Sequence, residues 1–343
     1  MKRRFLAGSL AAVLIFGGAY TAYWHHVAGR LEAGIADWVS QQLALGNVVE
    51  VQPGDVTGFP FAFRRDVTEV TLTQPVADGL LTLRAAAGTL SMRPWNLLAV
   101  AFEAAQPIEI SITSPVSADV NLAASRIGGA VRLTSDGRLE RIDAQMQNLT
   151  LTDGRQSYAA ATADLTIDLP PLTPRDHREK LLGFDLTLGH LQLPDGQRAL
   201  TADPIAKAAA AGTIMGPIPS GLPPRVALAQ WAQAGGTIEL SRFAFVQVPL
   251  DLEGEGTLAL DRNQQMLGAL TIRAQGLTET VDLLANEGML EPGAAKTGRM
   301  MAEGMAKTDE SGRKVVSIAL SLQQGYVWLG PIKLARLPVL TWQ

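Results

Sequence analysis

The chain contains no cysteine, and this absence limits its chemistry. Without thiols the protein has no disulfides, no thiolate nucleophile and no thiolate metal ligand. Charged residues make up only 18% of the 343 residues, aromatic residues only 6%, and the net charge is −4. No block of like charges follows Arg4, whereas nucleic-acid binding usually needs a basic stripe. We therefore expect stability to come from packing and backbone pairing, and we expect no nucleic-acid partner.

The motifs of common catalytic sites are also missing. The chain has no G-x-S-x-G, no H-E-x-x-H and neither of the glycine-rich nucleotide-binding patterns. The four histidines are His25, His26, His177 and His190. No two of them have the i, i+4 spacing of a helical zinc site. We predict that the protein is not an enzyme and that it uses no cofactor and no metal.

One pair of carboxylates has the spacing of a candidate acid–base pair. Glu253 and Glu255 would share a face if they lay in a strand, as general acid–base chemistry needs. The flanking Gly254 and Gly256 instead favour a turn or bulge. The sequence therefore favours solvated edge charges at these positions.

The longest uncharged run lies at the N-terminus, over residues 5–24. Twenty helical residues rise about 30 Å, the thickness of the hydrocarbon core of a bilayer. Three cations precede this stretch and three aromatic residues close it: Lys2, Arg3, Arg4, Tyr20, Tyr23 and Trp24. Cations favour the cytoplasmic side and aromatic rings favour the membrane–water boundary. We therefore predict an anchor over residues 1–24 in the inner membrane, with a cytoplasmic N-terminus and a periplasmic body.

A cleaved signal peptide is the alternative for this segment. The apolar region of a signal peptide spans about 7–15 residues, which is shorter than the run found here. A small-x-small cleavage site is poorly formed, because Tyr20 lies between Ala19 and Thr21. The sequence favours an uncleaved anchor, and either interpretation places the body on the same side of the membrane.

Residues 25–47 have the three- and four-residue spacing of an amphipathic helix. Its apolar positions are Val27, Leu31, Ile35, Trp38, Val39 and Leu43. Gly46 is typical of a helix end. We expect this helix to continue from the membrane helix and to dock on the first sheet.

From about residue 48 the apolar residues recur at every second position, which is the period of a half-buried strand. Clear examples are residues 108–113, 165–169, 184–188 and 316–322. Glycine-containing pairs predict turns at residues 128–129, 136–137, 153–154, 195–196 and 235–236. Regular short strands and turns indicate antiparallel sheet with one apolar and one polar face.

Helix is expected again in two places. Residues 204–212 are rich in alanine and predict a short helix, and residues 277–307 predict a helical hairpin around a turn at residues 291–293. We expect the methionines of the second arm to fill its core. These are Met300, Met301 and Met305.

The predicted fold is mainly β (α+β), with curved antiparallel sheets. The Pro- and Gly-rich residues 216–224 are the best candidate for a boundary between two halves. The predicted parts are a membrane anchor at 1–24, an amphipathic helix at 25–47, a β-rich half at 48–215, and a second β-rich half at 216–343 that contains the hairpin.

Residues 58–63 read GFPFAF and form the most distinctive motif. In a strand, Phe59, Phe61 and Phe63 would share one face and form a row of aromatic rings. Pro60 would point to the other face and favour an edge strand. We expect this row either to bind an apolar ligand or to belong to the core. Further motifs are RPWN at 93–96, GTLALD at 256–261 and GYVWLGPI at 325–332.

Taken in this order, the motifs resemble a bacterial family of unknown function, domain of unknown function 2125. The resemblance covers nearly the whole chain, although Ala62 stands where the family often has arginine. It implies an envelope location and the architecture above, and it supplies no catalytic residues because the family is uncharacterised. The arrangement is also distantly similar to AsmA-like proteins, whose anchored β-sheets form an apolar groove for lipid.

Two functions fit these features. The apolar sheet face could bind or shield an envelope lipid, unless helix 25–47 and hairpin 277–307 cover it. Alternatively, exposed sheet edges could bind another envelope protein in a structural or assembly role. An enzyme fits poorly, because no spacing gathers titratable groups into one site.

Overall fold

The computed structural model describes residues 2–76, 79–115, 118–154, 156–194, 196–197, 199–309, 312–329 and 332–337. Side chains are described from residue 15 onward, at most of these positions. Within these ranges the chain forms four helices and 18 strands. The helices are α1 (Lys2–Ala44), α2 (Pro224–Gln233), α3 (Leu277–Asn286) and α4 (Pro292–Met305).

All of the strands belong to one antiparallel sheet. The first nine are β1 (Val48–Thr57), β2 (Phe63–Val76), β3 (Gly79–Arg93), β4 (Asn96–Ala104), β5 (Ile108–Thr113), β6 (Val120–Ala124), β7 (Arg126–Leu133), β8 (Leu139–Asp153) and β9 (Gln156–Asp168). The others are β10 (Lys180–Gln192), β11 (Ile205–Met215), β12 (Thr237–Gln247), β13 (Leu250–Leu260), β14 (Met266–Gln275), β15 (Ala306–Thr308), β16 (Lys314–Gln323), β17 (Tyr326–Leu329) and β18 (Ile332–Arg336).

The sheet is an up-and-down meander. β4 and β5 together form one row beside β3, and β7 and β6 form the next row beside β8. From β8 to β14 each strand pairs with the strand that follows it in the sequence. The predicted strands at 108–113, 165–169, 184–188 and 316–322 are confirmed as β5, β9, β10 and β16. Residues 216–224, the candidate boundary, lie between β11 and β12, and these two strands pair directly.

The pairing registers place apolar residues on one face of the sheet. Partners in an antiparallel ladder project to the same side, so a row of partners can be followed from strand to strand. One row from β3 to β16 runs Leu90, Phe102, Gly129, Ala144, Leu165, Leu186, Ala210, Phe243, Gly254, Ile272 and Ile318. We call the side of the sheet that carries this row the apolar face. Its continuity across so many strands confirms the predicted division into two faces.

The opposite face is polar and carries ion pairs. Arg141 contacts Asp143 at 2.8 Å and Asp168 at 2.9 Å, and Arg242 contacts Asp185 at 3.1 Å. Hydrogen bonds from Arg141 lower the pKa of Asp143 below its usual value. Because these side chains are substantially exposed, we treat this face as a wetted surface that adds little to stability.

Helix α1 runs without a break through both predicted N-terminal segments and ends just before Gly46, as expected. Val27, Leu31 and Ile35 form part of its half-buried stripe, whereas Trp38 and Leu43 are exposed. Within the part of the chain that the structure describes, no helix has the length and apolarity that a membrane crossing requires. The side chains of Lys2, Arg3 and Arg4, and those of the first half of the uncharged run, lie outside the described residues.

Two local predictions are wrong because tertiary pairing outweighs local preference. Residues 204–212 form most of strand β11 and are not helical. Ala208 and Ala210 lie in the ladder between Leu188 and Leu186 of β10 and the phenylalanines of β12. Small side chains fit between large ones there, which outweighs the helix preference of alanine. Residues 128–129 likewise lie inside β7, whereas the predicted turns at 136–137 and 153–154 are confirmed. The predicted turn at 195–196 lies partly outside the described residues.

The helical hairpin is confirmed as α3 and α4, but its core differs from the prediction. Ala295 and Ala302 of α4 are buried at 3% exposure each, whereas Met300 is 65% exposed. Met301 and Met305 are also exposed. The helix thus faces its neighbours with alanine and turns its methionines to solvent. Helix α2 was not predicted, and its Trp231 donates a hydrogen bond to the Met215 carbonyl at 2.8 Å.

Candidate functional site: the apolar face and the helix clamp

The central part of the apolar face is only partly buried. Ile272 and Leu322 of this face are buried, but most of its large side chains on β10, β12, β14 and β16 retain partial exposure: Leu186, Leu188, Phe243, Phe245, Leu270, Ile318 and Leu320. Apart from Ile205, the fully buried apolar residues of β8, β9 and β11 are alanines, such as Ala144 and Ala163. A sheet covered by a second layer would bury its large side chains. Among the described residues, no second layer therefore covers the middle of this face.

Helices cover the two ends of the apolar face. At one end, Trp24 and Ala28 of α1 form a buried core with Phe63 of β2. At the other end, Ala302 of α4 is buried beside Ala274 (1% exposed) and Val316 (4% exposed), with which it lines a cavity of about 450 Å³. The expected packing by the N-terminal helix and the hairpin is thus found at the two ends of the face, and the middle is open.

The GFPFAF motif does not form the predicted strand. Residues 58–62 make a tight turn in which the Phe61 and Ala62 amides donate to the Gly58 carbonyl, at 3.1 and 2.9 Å. Gly58 has a φ of +95°, and a Cβ there would lie 2.8 Å from the Ala62 carbonyl oxygen, so the turn needs glycine. Strand β2 begins only at Phe63.

The turn separates the three predicted aromatic side chains. Phe59 is 49% exposed, Phe61 is 72% exposed and Phe63 is 2% exposed. The predicted row on one strand face is therefore wrong. Phe63 belongs to the core, while Phe59 and Phe61 project from the turn.

Two sequence motifs hold α1 in place. The Trp24 indole donates to the Ala62 carbonyl at 3.2 Å, and the Tyr20 hydroxyl donates to the Pro60 carbonyl. The Tyr23 hydroxyl donates to the Pro94 carbonyl of the RPWN turn at 2.8 Å. We call Tyr20, Tyr23, Trp24 and the turns at 58–63 and 93–96 the helix clamp. These contacts were not expected from the sequence, which favours a membrane boundary for the three aromatic residues. The signal for the clamp is their i, i+3 and i+4 spacing, which places them on one side of a helix.

Ring contacts reinforce the helix clamp. The Trp24 ring stacks on Phe63 with centroids 5.1 Å apart, and it meets the edge of Phe59 at 5.5 Å. The His25 ring lies nearly parallel to the Phe59 ring, with centroids 6.2 Å apart. Such aromatic pairs add about 0.5–1.5 kcal/mol each beyond their burial. The GFPF motif therefore has a structural role that fixes the direction of α1 relative to the sheet.

The outer surface of the helix clamp is apolar. Phe61 and Trp95 project from the two turns with 72% and 65% exposure. On α1, just before Tyr20, Ile15 and Phe16 are 70% and 76% exposed. Exposed large apolar side chains gathered in this way mark interaction surfaces.

The two glutamates considered as an acid–base pair lie apart from this site. Glu253 and Glu255 stand on the polar face of β13, and Glu253 contacts Arg273 at 3.7 Å with both side chains 57% exposed. The predicted solvent exposure of both carboxylates is confirmed, but β13 pairs with β12 and β14 and is therefore not an edge strand. The two glutamates share one face of a strand, and the expected bulge lies instead in the partner strand β12, opposite Glu255. Among the described residues, no group of three or more histidine or acidic side chains is arranged to hold a metal ion.

These features define a class of antiparallel meander proteins with a long N-terminal helix clamped at one end of the sheet. Residues 24–338 match the profile of a family described as an uncharacterized protein conserved in bacteria (DUF2125), and the chain belongs to that family. The family resemblance inferred from the sequence motifs is thereby confirmed. No curated protein and no solved structure matches the chain.

Proposed function

We propose that this protein is anchored in the inner membrane and shields the acyl chains of an envelope lipid on its apolar face. The observation that carries the proposal is the continuous apolar face whose large central side chains remain partly exposed. Apolar surface in contact with water costs about 25 cal/mol per Å². An acyl chain laid across the strands would remove both its own surface and that of the sheet from water.

The location is supported by the sequence and by the helix clamp. The N-terminal cations, the uncharged residues 5–24 and the closing aromatic residues favour an anchor with a cytoplasmic N-terminus and a periplasmic body. The clamp ties the end of that segment to strand β2, so the sheet would stay close to the bilayer. The arrangement of the sequence motifs also led us to expect a distant similarity to AsmA-like proteins, whose anchored β-sheets form an apolar groove for lipid, and the proposal agrees with that expectation.

Photo-crosslinking in living bacteria tests this function. Cells that express the full chain are supplied with a diazirine-bearing fatty acid, irradiated, and the crosslinked residues are mapped by mass spectrometry. We expect the crosslinks to fall on the apolar face of β8–β14, around Leu186 and Phe243. Crosslinks confined to α1, or spread equally over both faces, would contradict the proposal.

A matched pair of variants sharpens the test. Leu186 and Thr187 are neighbours in β10 that point to opposite faces. Leu186→Asp places a charge on the apolar face and should lower crosslinking severalfold, whereas Thr187→Asp on the polar face should leave it unchanged. Equal crosslinking in the two variants would show that the apolar face is not the binding surface.

A protein partner is the second candidate. Among the described strands, β1 pairs only with β2, so its outer edge is available for strand addition. The edge is blunted by Pro53 and by two register shifts, features that discourage pairing. The same irradiated cells decide between the candidates, because a stoichiometric protein adduct without lipid adducts would favour this second function.

A further inference from the structure

One charged residue interrupts the apolar face. The row that begins with Leu90 continues through Arg65 of β2 to Val56 of β1. Arg65 therefore stands on the same side as Phe63, two residues away, and close to the core that α1 forms with the sheet. Its neighbour Arg64 is exposed on the opposite side. All members of this row from β3 to β16 are apolar residues.

The guanidinium of Arg65 is only partly satisfied. Its Nε donates to the Gly54 carbonyl at 2.8 Å. Its Nη1 is buried and has no hydrogen-bond partner among the described residues. A buried charged donor without an acceptor is unfavourable, so an acceptor placed at this guanidinium would bind favourably.

We propose that Arg65 binds the anionic head group, a phosphate or a carboxylate, of an amphiphile whose chains lie along the apolar face. This inference rests on the proposed function and adds the residue that binds the polar end of the lipid. Arginine pairs with phosphate and carboxylate through parallel charge-assisted hydrogen bonds. Because Arg65 lies beside the helix clamp, the head group sits at the α1 end of the sheet and the chains extend from there over the open middle.

A competition experiment on the full chain tests the inference. The probes are hexadecyl phosphate, hexadecanoate, hexadecanol and inorganic phosphate, and native mass spectrometry measures which of them the chain retains after release from detergent micelles. We expect the two anionic amphiphiles to be preferred over hexadecanol by about tenfold or more, the effect of one charge-assisted contact. Inorganic phosphate alone should bind far more weakly than hexadecyl phosphate.

Variants separate head-group binding from a structural role at the Gly54 carbonyl. Arg65→Gln should abolish the preference for the anions while hexadecanol retention stays the same, and Arg65→Lys should keep part of the preference. Arg64→Gln, the matched control, should behave like the unmodified chain. A melting temperature measured for each variant shows whether the fold is retained.

Each remaining outcome counts against a specific claim. If Arg65→Gln keeps the anion preference, or if the unmodified chain retains hexadecanol as well as hexadecyl phosphate, the head-group inference is wrong and the proposed function stands. If inorganic phosphate binds as tightly as hexadecyl phosphate, the site takes a free anion and the amphiphile is excluded. If no hexadecyl probe is retained, the proposed function fails as well.

Discussion

Phe59, Phe61 and Phe63 share a residue type and a single hexapeptide, yet their environments differ completely. The turn at residues 58–62 directs Phe59 toward α1, leaves Phe61 in solvent and starts β2 with Phe63 in the core. Alternation predicts one shared face only where the backbone is extended. Glycine with a φ of +95° at the start of the motif breaks that condition.

Alanine substitutions at two of these positions should have very different costs. Phe63→Ala removes a ring that is 2% exposed, and we expect it to lower the free energy of unfolding by about 3–5 kcal/mol. Phe61→Ala removes a ring that is 72% exposed, and we expect a change within about 0.5 kcal/mol. Chemical unfolding of the full chain, followed by circular dichroism, measures both.

The comparison between the two variants carries its own control, because the same atoms are removed in each. Equal losses of stability would mean that Phe61 is also packed, which contradicts its position in the turn. A small loss for Phe63→Ala would mean that the core between α1 and the first strands contributes little.

At the scale of the elements, glycine pairs show how far the sequence could predict the fold. Residues 128–129 predict a turn by composition, but they lie within β7, where Gly129 is opposite Phe102 of β4. A Cβ on Gly129 would lie 2.8 Å from the Phe102 ring and 2.0 Å from the Asp143 carbonyl oxygen. Gly129 is thus needed for close approach inside a sheet, and no local pattern distinguishes that use from a turn.

Two adjacent substitutions test this interpretation of β7. Gly129→Ala forces a methyl group into the contacts with β4 and β8, and we expect a loss of about 1–3 kcal/mol in stability. Gly128→Ala points to the other face, where the nearest atoms are 3.8 Å away. We expect it to be neutral or stabilising by about 0.5 kcal/mol, since alanine loses less backbone entropy on folding. The unfolding midpoints of the two variants should therefore move apart, and a common shift would contradict the assigned faces.

Period-two alternation predicted the strands and the two faces, because a strand with one buried and one exposed face has alternating apolar and polar residues. The helical hairpin was visible for the same reason. Strand β11 could not be predicted in this way. Its alanines are favoured there because they fit between the large residues of β10 and β12, whereas their local preference is for a helix. Alternation starting from Phe63 also places Arg65 on the apolar face, so this charge could have been found from the sequence once the start of β2 was known.

For the molecule as a whole, the helix clamp links the orientation of the sheet to that of α1. The hydrogen bonds of Tyr20 and Tyr23 hold two turns against the helix directly after the uncharged residues 5–24. The tips of those turns, Phe61 and Trp95, are exposed at the same end of the sheet. If α1 is anchored in the bilayer as proposed, these two rings should enter the membrane–water boundary, where aromatic side chains are favoured.

Single-cysteine labelling can measure this contact, because the natural chain has no cysteine. The full chains carrying Phe61→Cys or Trp95→Cys are labelled with an environment-sensitive fluorophore and reconstituted into vesicles. Nitroxide-bearing lipids should then quench the fluorescence of both labels. Val248→Cys is the matched control, because Val248 is 79% exposed at the β12–β13 connection. The registers place that connection at the opposite end of the strands from the helix clamp.

A label at Phe16→Cys reports whether α1 itself enters the bilayer, independently of the two aromatic turns. Quenching at position 16 together with positions 61 and 95, but not at position 248, is the expected pattern. Quenching at position 16 alone would mean that α1 enters the bilayer while the sheet stands away from it, so the two aromatic turns would have no membrane role. Quenching at none of the four positions would remove the anchor as well, because the exposed apolar side chains of α1 would then lie in water.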